Sequence, residues 1–173
     1  MESANAKGSA RLLHLSIAGS VLMHGEVFDP DLLQTLLHAD GKTPLLLYPH
    51  TPDEQSLGMA PPPKLDIAPI ADASAMRLVV LDGTWRKSRK MLYQNRLLQT
   101  LPRLQLTGMT ASHYVIRKAH APDQLSTLEA CCHALGEIHG DSAAFAPLLS
   151  AFDQFVAHFQ KTGGKLAGQA NQA

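Results

Sequence analysis

Apolar and polar positions along this chain fall into blocks whose period changes, and the blocks predict its elements. Leu32, Leu33, Leu36 and Leu37 recur at helical spacing behind Asp29-Pro30, an N-cap residue followed by a proline suited to a first turn. A helix is therefore expected from Asp29 to about Ala39, with Gly41 as its stop. Pro44-Leu45-Leu46-Leu47-Tyr48-Pro49 is short, apolar and bounded by prolines, the pattern of a buried parallel strand. Met76–Leu81 (MRLVVL) reads as the clearest buried strand in the chain, and after Asp82-Gly83 the period turns helical. In that helix Trp85, Met91 and Leu92 fall on one side and the bases on another.

Leu101–Leu106 and His113–Ile116 read as further strands, with Gly108 between them. Leu125, Leu128, Cys132 and Leu135 then mark a helix whose opening turn holds Ser126 or Thr127, and Leu148, Phe152, Phe155 and Phe159 stripe a last one. Arg11–Ile17 (RLLHLSI) fits either a first strand or a short helix, because periodicity alone does not decide. Between Pro49 and Ala75, Pro52, Pro61, Pro62, Pro63 and Pro69 exclude regular helix; a loop this long is either functional or an excursion. Strands alternating with helices give an α/β fold class with a mainly parallel sheet in one domain over 11–162; residues 1–10 and 163–173 read as flexible termini.

Composition narrows the function classes. The 173 residues are 45% hydrophobic and 17% charged, which suits a globular domain with a sizeable core rather than a disordered chain. Fifteen acids balance fifteen bases, so any nucleic-acid surface must come from local clustering. Cys131 and Cys132 are adjacent, a spacing that suits neither a disulfide framework nor a metal site, and a reducing cytoplasm follows as the expected location. No targeting segment or membrane-length apolar run is evident, and the nine histidines show no ligand spacing.

Ligands of parallel α/β sheets bind where the strands end. Three such ends carry unusual residues: Pro49-His50; Asp82-Gly83-Thr84-Trp85; and Arg117-Lys118 followed by Leu125-Ser126-Thr127-Leu128-Glu129. The second end runs into Arg86, Lys87, Arg89 and Lys90, four of the fifteen bases within five positions, directly after the only Trp. A base run is ordinarily a solvated helix face, yet bases at a helix start oppose the macrodipole and so point to use. From the residues alone the inference reaches a ligand site rimmed by bases.

The chain resembles the DTW-domain family. Asp82-Gly83-Thr84-Trp85 matches the Asp-x-Thr-Trp signature. Arg11-Leu12-Leu13, His24-Gly25, Leu45–Pro49, Pro102-Arg103-Leu104, Tyr114-x-Ile116-Arg117-Lys118 and Leu125–Ala130 occur in the family's order, over roughly residues 11 to 160. The resemblance implies a tRNA-uridine aminocarboxypropyltransferase, which moves the 3-amino-3-carboxypropyl group of S-adenosylmethionine to N3 of a tRNA uridine and releases methylthioadenosine. It also implies the knotted, SPOUT-like fold, with Gln124–Ala134 as the knotted element. A SPOUT-type RNA methyltransferase and a non-catalytic RNA-binding module are the alternatives. Family members often carry an N-terminal cysteine cluster; here no cysteine precedes Cys131, so the chain is either trimmed or from a shorter branch, and no metal is expected.

The resemblance also implies roles. Asp82, Thr84 and Trp85 are the catalytic candidates, with Asp82 as base or orienter of the uridine imide against the plainer reading of helix N-cap. Tyr48, Pro49, Leu81, Gly83, Leu106, Leu125, Ser126, Thr127 and Glu129 are expected around the donor, where Ser126, Thr127 and Glu129 equally suit ordinary capping. Arg117 offers a bidentate fork for the donor's carboxylate. Arg86, Lys87, Arg89, Lys90, Arg117 and Lys118 are expected to meet RNA phosphates. Trp85 serves equally as a stacking surface for a base or as a core residue against Leu92. tRNA is the expected partner, no membrane is implied, and monomer and homodimer both stand.

Overall fold

The computed structural model describes residues 6–49, 58, 61–63, 72–106 and 125–169. Its elements are α1 (Ala6–Ser16), α2 (Pro30–His38), β1 (Thr43–Leu47), β2 (Met76–Val80), α3 (Trp85–Gln94), α4 (Arg96–Gln99), β3 (Arg103–Leu104), α5 (Thr127–His139) and α6 (Ala146–Gln169). Three strands among the described residues form one parallel sheet in the order β2-β1-β3. The α/β class and the parallel sheet stand as expected. The segments His113–Ile116 and Pro49–Ala75 fall largely outside the described residues, as do Arg117 and Lys118.

Alternation along β1 builds two cores. Leu46 and Tyr48 point to one face, where they join Leu33 and Leu37 of α2, Leu92 of α3, Leu98 of α4, and Leu101. Leu45 points to the other, against Leu104 of β3 and Ala134 and Ile138 of α5. Helices thus cover both faces of the sheet, which is why β1 reads as an unbroken apolar run. The outer side of α5 buries Leu128 and Cys132 against Phe152 and Val156 of α6, with Leu12 and Leu13 of α1 alongside. That contact resolves RLLHLSI as helix: Leu12 and Leu13 pack while Leu15 stands 72% exposed, a one-sided pattern a strand of this sequence would not give.

Several expectations shift. β2, read as the clearest buried strand, is half-buried along its whole length, because it pairs only with β1 among the described residues. Leu101–Leu106 gives only the two-residue β3, although Leu46 and Tyr48 still donate to the carbonyls of Pro102 and Leu104. On α6 the buried stripe is Phe152 and Val156; Phe155 faces solvent at 47% exposure.

The helix ends follow their sequence signals. Asp29 caps α2 through Leu32 N–H at 2.9 Å. Gly140 ends α5 in the left-handed region at φ 66°, where a side chain would be strained.

Candidate functional site

Because the strands are parallel and Leu47 is in register with both Val80 and Leu104, their carboxyl ends open on one edge of the sheet. Tyr48 and Pro49 leave β1 there, Leu81 and Asp82 leave β2, and Gln105 and Leu106 leave β3. Leu81 packs against the first core and Leu106 against the second, so both are half-buried shoulders of this edge.

Asp82 has a clear partner. Its Oδ1 accepts a 2.5 Å hydrogen bond from Thr127 Oγ1, a residue 45 positions away at the start of α5. Its charge also opposes ionisation of Cys131, one turn further along the same face of α5. The plainer reading of Asp82 as helix cap fails: Thr84 caps α3, accepting from Lys87 N–H at 3.3 Å. Asp82 Oδ2 carries no hydrogen bond among the described residues. Between Asp82 and Thr84, a Cβ on Gly83 would lie 3.2 Å from Lys87 Cβ, so a side chain there would crowd the first turn of α3.

The start of α5 is rigid. Ser126 Oγ accepts from Glu129 N–H at 3.2 Å, and Glu129 Oε2 accepts from Ser126 N–H at 2.7 Å. This reciprocal capping box is buried, with both residues under a tenth exposed. Ser126 and Glu129 therefore serve each other through their side chains, while Thr127, outside the box, reaches Asp82. Leu125 is half-buried just ahead of it.

Trp85 stands 49% exposed with its ring edge-on to buried Tyr48, centroids 5.8 Å apart and planes at 77°. It is not a core residue; Leu92 is buried without it. The Tyr48 ring also meets the buried guanidinium of Arg103, 5.3 Å from the ring centroid, whose Nη1 donates to Pro49 O at 3.5 Å. Arg103 thus props the β1 exit. Only its place in Pro102-Arg103-Leu104 hinted at this, since an arginine in an apolar strand must bury its charge against something.

Arg86, Lys87, Arg89 and Lys90 are all exposed on α3. Lys90 is already paired with Glu26 at 2.5 Å, which holds the Glu26 carboxyl below its usual range, first through the hydrogen bond and then through charge. Buried Asn95 completes this strap: its Oδ1 accepts from Phe28 N–H at 2.9 Å, and its Nδ2 donates to the carbonyls of Glu26 and Met91. Sequence reading missed Asn95, whose signal was only an Asn ending a helical period.

The comparisons with known proteins decide the family. The profile of the DTW domain matches residues 1–160. The chain belongs to the DTW-domain family. It is similar to "tRNA-uridine aminocarboxypropyltransferase 2" of Mus musculus, 31% identical over 87 residues, half of this chain and 29% of that protein. The protein of the same name from Macaca fascicularis is 36% identical over 58 residues, 34% of this chain and 20% of that relative. The chain thus covers under a third of the length of either relative. No solved structure gives a significant match. Among the described residues, no helix is long and apolar enough to cross a membrane, and no cluster of His, Cys, Asp or Glu is placed to hold a metal.

Proposed function

We propose that this DTW-domain protein transfers the 3-amino-3-carboxypropyl group of S-adenosylmethionine to N3 of a uridine in tRNA, releasing methylthioadenosine. It would act in the cytoplasm, from one catalytic domain over 11–162 of the knotted SPOUT type, with Gln124–Ala134 as the knotted element. Family membership and the names of the two relatives support the reaction class. The observation that carries the site is the Asp82–Thr127 hydrogen bond, which joins the family signature to the capped start of α5.

The residues present fit such a donor. Leu81, Leu106 and Tyr48 supply apolar surface at the strand ends, and hydroxyl and carboxylate groups converge beside it. When bound, S-adenosylmethionine supplies a sulfonium whose γ-carbon is electrophilic and whose sulfur keeps the bonding pair on leaving.

The protein's own residues do the rest. Asp82 takes the N3 proton of uridine as N3 forms its bond to carbon, or holds the imide by hydrogen bond as that proton leaves. Thr127 fixes one carboxylate oxygen, so the other is presented in one orientation. Ser126 and Glu129 hold the first turn of α5 that carries Thr127. Pro49, Gly83 and Leu125 line the donor side through backbone and close packing. Thr84 sets the start of α3 and so the place of Trp85, whose exposed indole receives a nucleobase. Arg86, Lys87, Arg89, Lys90, Arg117 and Lys118 hold tRNA phosphates.

Incubating the protein with labelled S-adenosylmethionine and unmodified tRNA, then identifying both products, tests this. Labelled aminocarboxypropyluridine with methylthioadenosine is expected. S-adenosylhomocysteine would make the protein a methyltransferase, and tRNA binding without any transfer would make it a binding module.

A further inference from the structure

We infer that Tyr93 forms, with Arg86 and Arg89, a second nucleotide-binding subsite on α3, one that takes an unpaired nucleotide of the tRNA away from the target uridine. The inference rests on the tRNA reading above. Tyr93 is 56% exposed, with its ring on the solvent side of α3.

Its position is specific. At about 100° per residue, the buried residues of α3, Ser88, Met91 and Leu92, fall within one arc of about 100°. Tyr93 projects near the centre of the opposite arc, about 40° from Arg89 and about 20° from Arg86. An aromatic ring on the same helix face as two guanidinium groups is what an unpaired nucleotide needs: a stacking face for the base and cations for its phosphate. Charge also separates this face from an ordinary protein contact, since no acidic residue occurs anywhere in α3. Glu26, from outside the helix, is engaged with Lys90.

Distance decides which nucleotide. Trp85 and Tyr93 are eight residues apart, about 12 Å along the axis at about 1.5 Å per residue. Stacked neighbours in a strand lie about 3.4 Å apart, so a base on Tyr93 is not the immediate stacked neighbour of one on Trp85. The two rings bracket a short stretch of strand, with Arg86 and Arg89 between them. The backbone at Tyr93 is held, since its carbonyl accepts from Gln99 Nε2 at 3.0 Å. The ring is thus presented from a fixed turn rather than from a fraying end.

Full-length Tyr93→Ala and Tyr93→Phe test the subsite with unmodified tRNA. Removing an aromatic ring that stacks on a base weakens affinity by roughly tenfold or more, so Tyr93→Ala is expected to raise the KM for tRNA about tenfold with kcat and the donor's KM near wild type. Tyr93→Phe retains the stacking face and is expected to match wild type. The dependence of tRNA affinity on salt supplies a second readout. Tyr93→Ala keeps the wild-type slope, whereas Arg86→Ala flattens it by about 0.7 per lost phosphate contact in a single strand. An unchanged KM in Tyr93→Ala overturns the inference, as does a Tyr93→Phe variant as weak as Tyr93→Ala. So does a Tyr93→Ala defect that raises the donor's KM equally, which marks a structural role. Anisotropy with labelled tRNA keeps the two proposals distinct: if wild type binds tRNA but transfers nothing, tenfold weaker binding by Tyr93→Ala upholds the subsite and equal binding overturns it. A wild-type chain that does not bind tRNA overturns both.

Discussion

Two helices begin at the candidate site, and they begin differently. α5 starts with a buried capping box whose Glu129 carboxylate sits in the first turn, where the positive end of the macrodipole favours it. α3 starts with a single exposed cap from Thr84, has no acid in its first turn, and places Arg86 and Lys87 there against the dipole. The first start is built for rigidity. The second gives up a little helix stability to hold an indole and a cluster of cations at the surface. Asp82 stands between them, contiguous in sequence with α3 but hydrogen-bonded to Thr127 of α5. Under the proposed function, a carboxylate anchored to the rigid helix would position the chemistry while the basic helix facing solvent gathers the tRNA.

That contrast can be broken in descending steps. Asp82→Asn keeps an acceptor for Thr127 but cannot take a proton; kcat for transfer is expected to fall about 100-fold or more, with Tm almost unchanged. Loss of Tm in step with activity would make Asp82 a structural residue. Ser126→Ala opens the capping box and is expected to cost about 1 kcal/mol, lowering Tm by about 3 °C in a scan of thermal unfolding. Arg86→Glu sharpens the contrast from the other side: it is expected to raise stability by about 0.3 kcal/mol through the dipole while weakening tRNA binding. A variant that gains stability and keeps full affinity would remove α3 from the RNA surface.

The core behind α5 gives a pH signature. Burial, then the neighbouring charges of Cys132 and Asp82, pushes the Cys131 thiol up from 9.0 to about 12; burial, then Glu129, pushes Cys132 up to about 11. Both folded values exceed the unfolded one. The protonated thiols therefore contribute their full stability below about pH 9, and that contribution is lost as pH rises through about 11 to about 12. Unfolding followed against alkaline pH should show this decline, and Cys131→Ala should flatten it.

How far the sequence carried can be read from particular residues. The caps of α2 and α5 were legible because capping is local: Asp29-Pro30 and Ser126-Thr127-Leu128-Glu129 each hold their own signal. The apolar run of β1 was legible because burial on both faces leaves no polar position. That β2 is half-buried was not, since its burial depends on which strand takes the centre, and MRLVVL carries no record of that order. The cap of α3 was not legible for a similar reason: Asp82 and Thr84 are equally good cap residues, and only the distant Thr127 draws Asp82 away. Trp85 had two readings in the sequence because helical period puts it near Leu92; its exposure removes the core reading. The roles of Asn95 and Arg103 were not legible because each works through partners far along the chain, Glu26 and Phe28 for one and Tyr48 and Pro49 for the other.

The central claim is that Asp82 and the start of α5 act as one unit in transfer. A double-mutant cycle on kcat with Asp82→Asn, Thr127→Val and the pair tests it most directly. If the two residues form one unit, Thr127→Val lowers kcat on its own and adds little once Asp82 is Asn. If instead the two losses multiply, or Thr127→Val leaves kcat at the wild-type value, the hydrogen bond between them has no part in the chemistry and the account is contradicted.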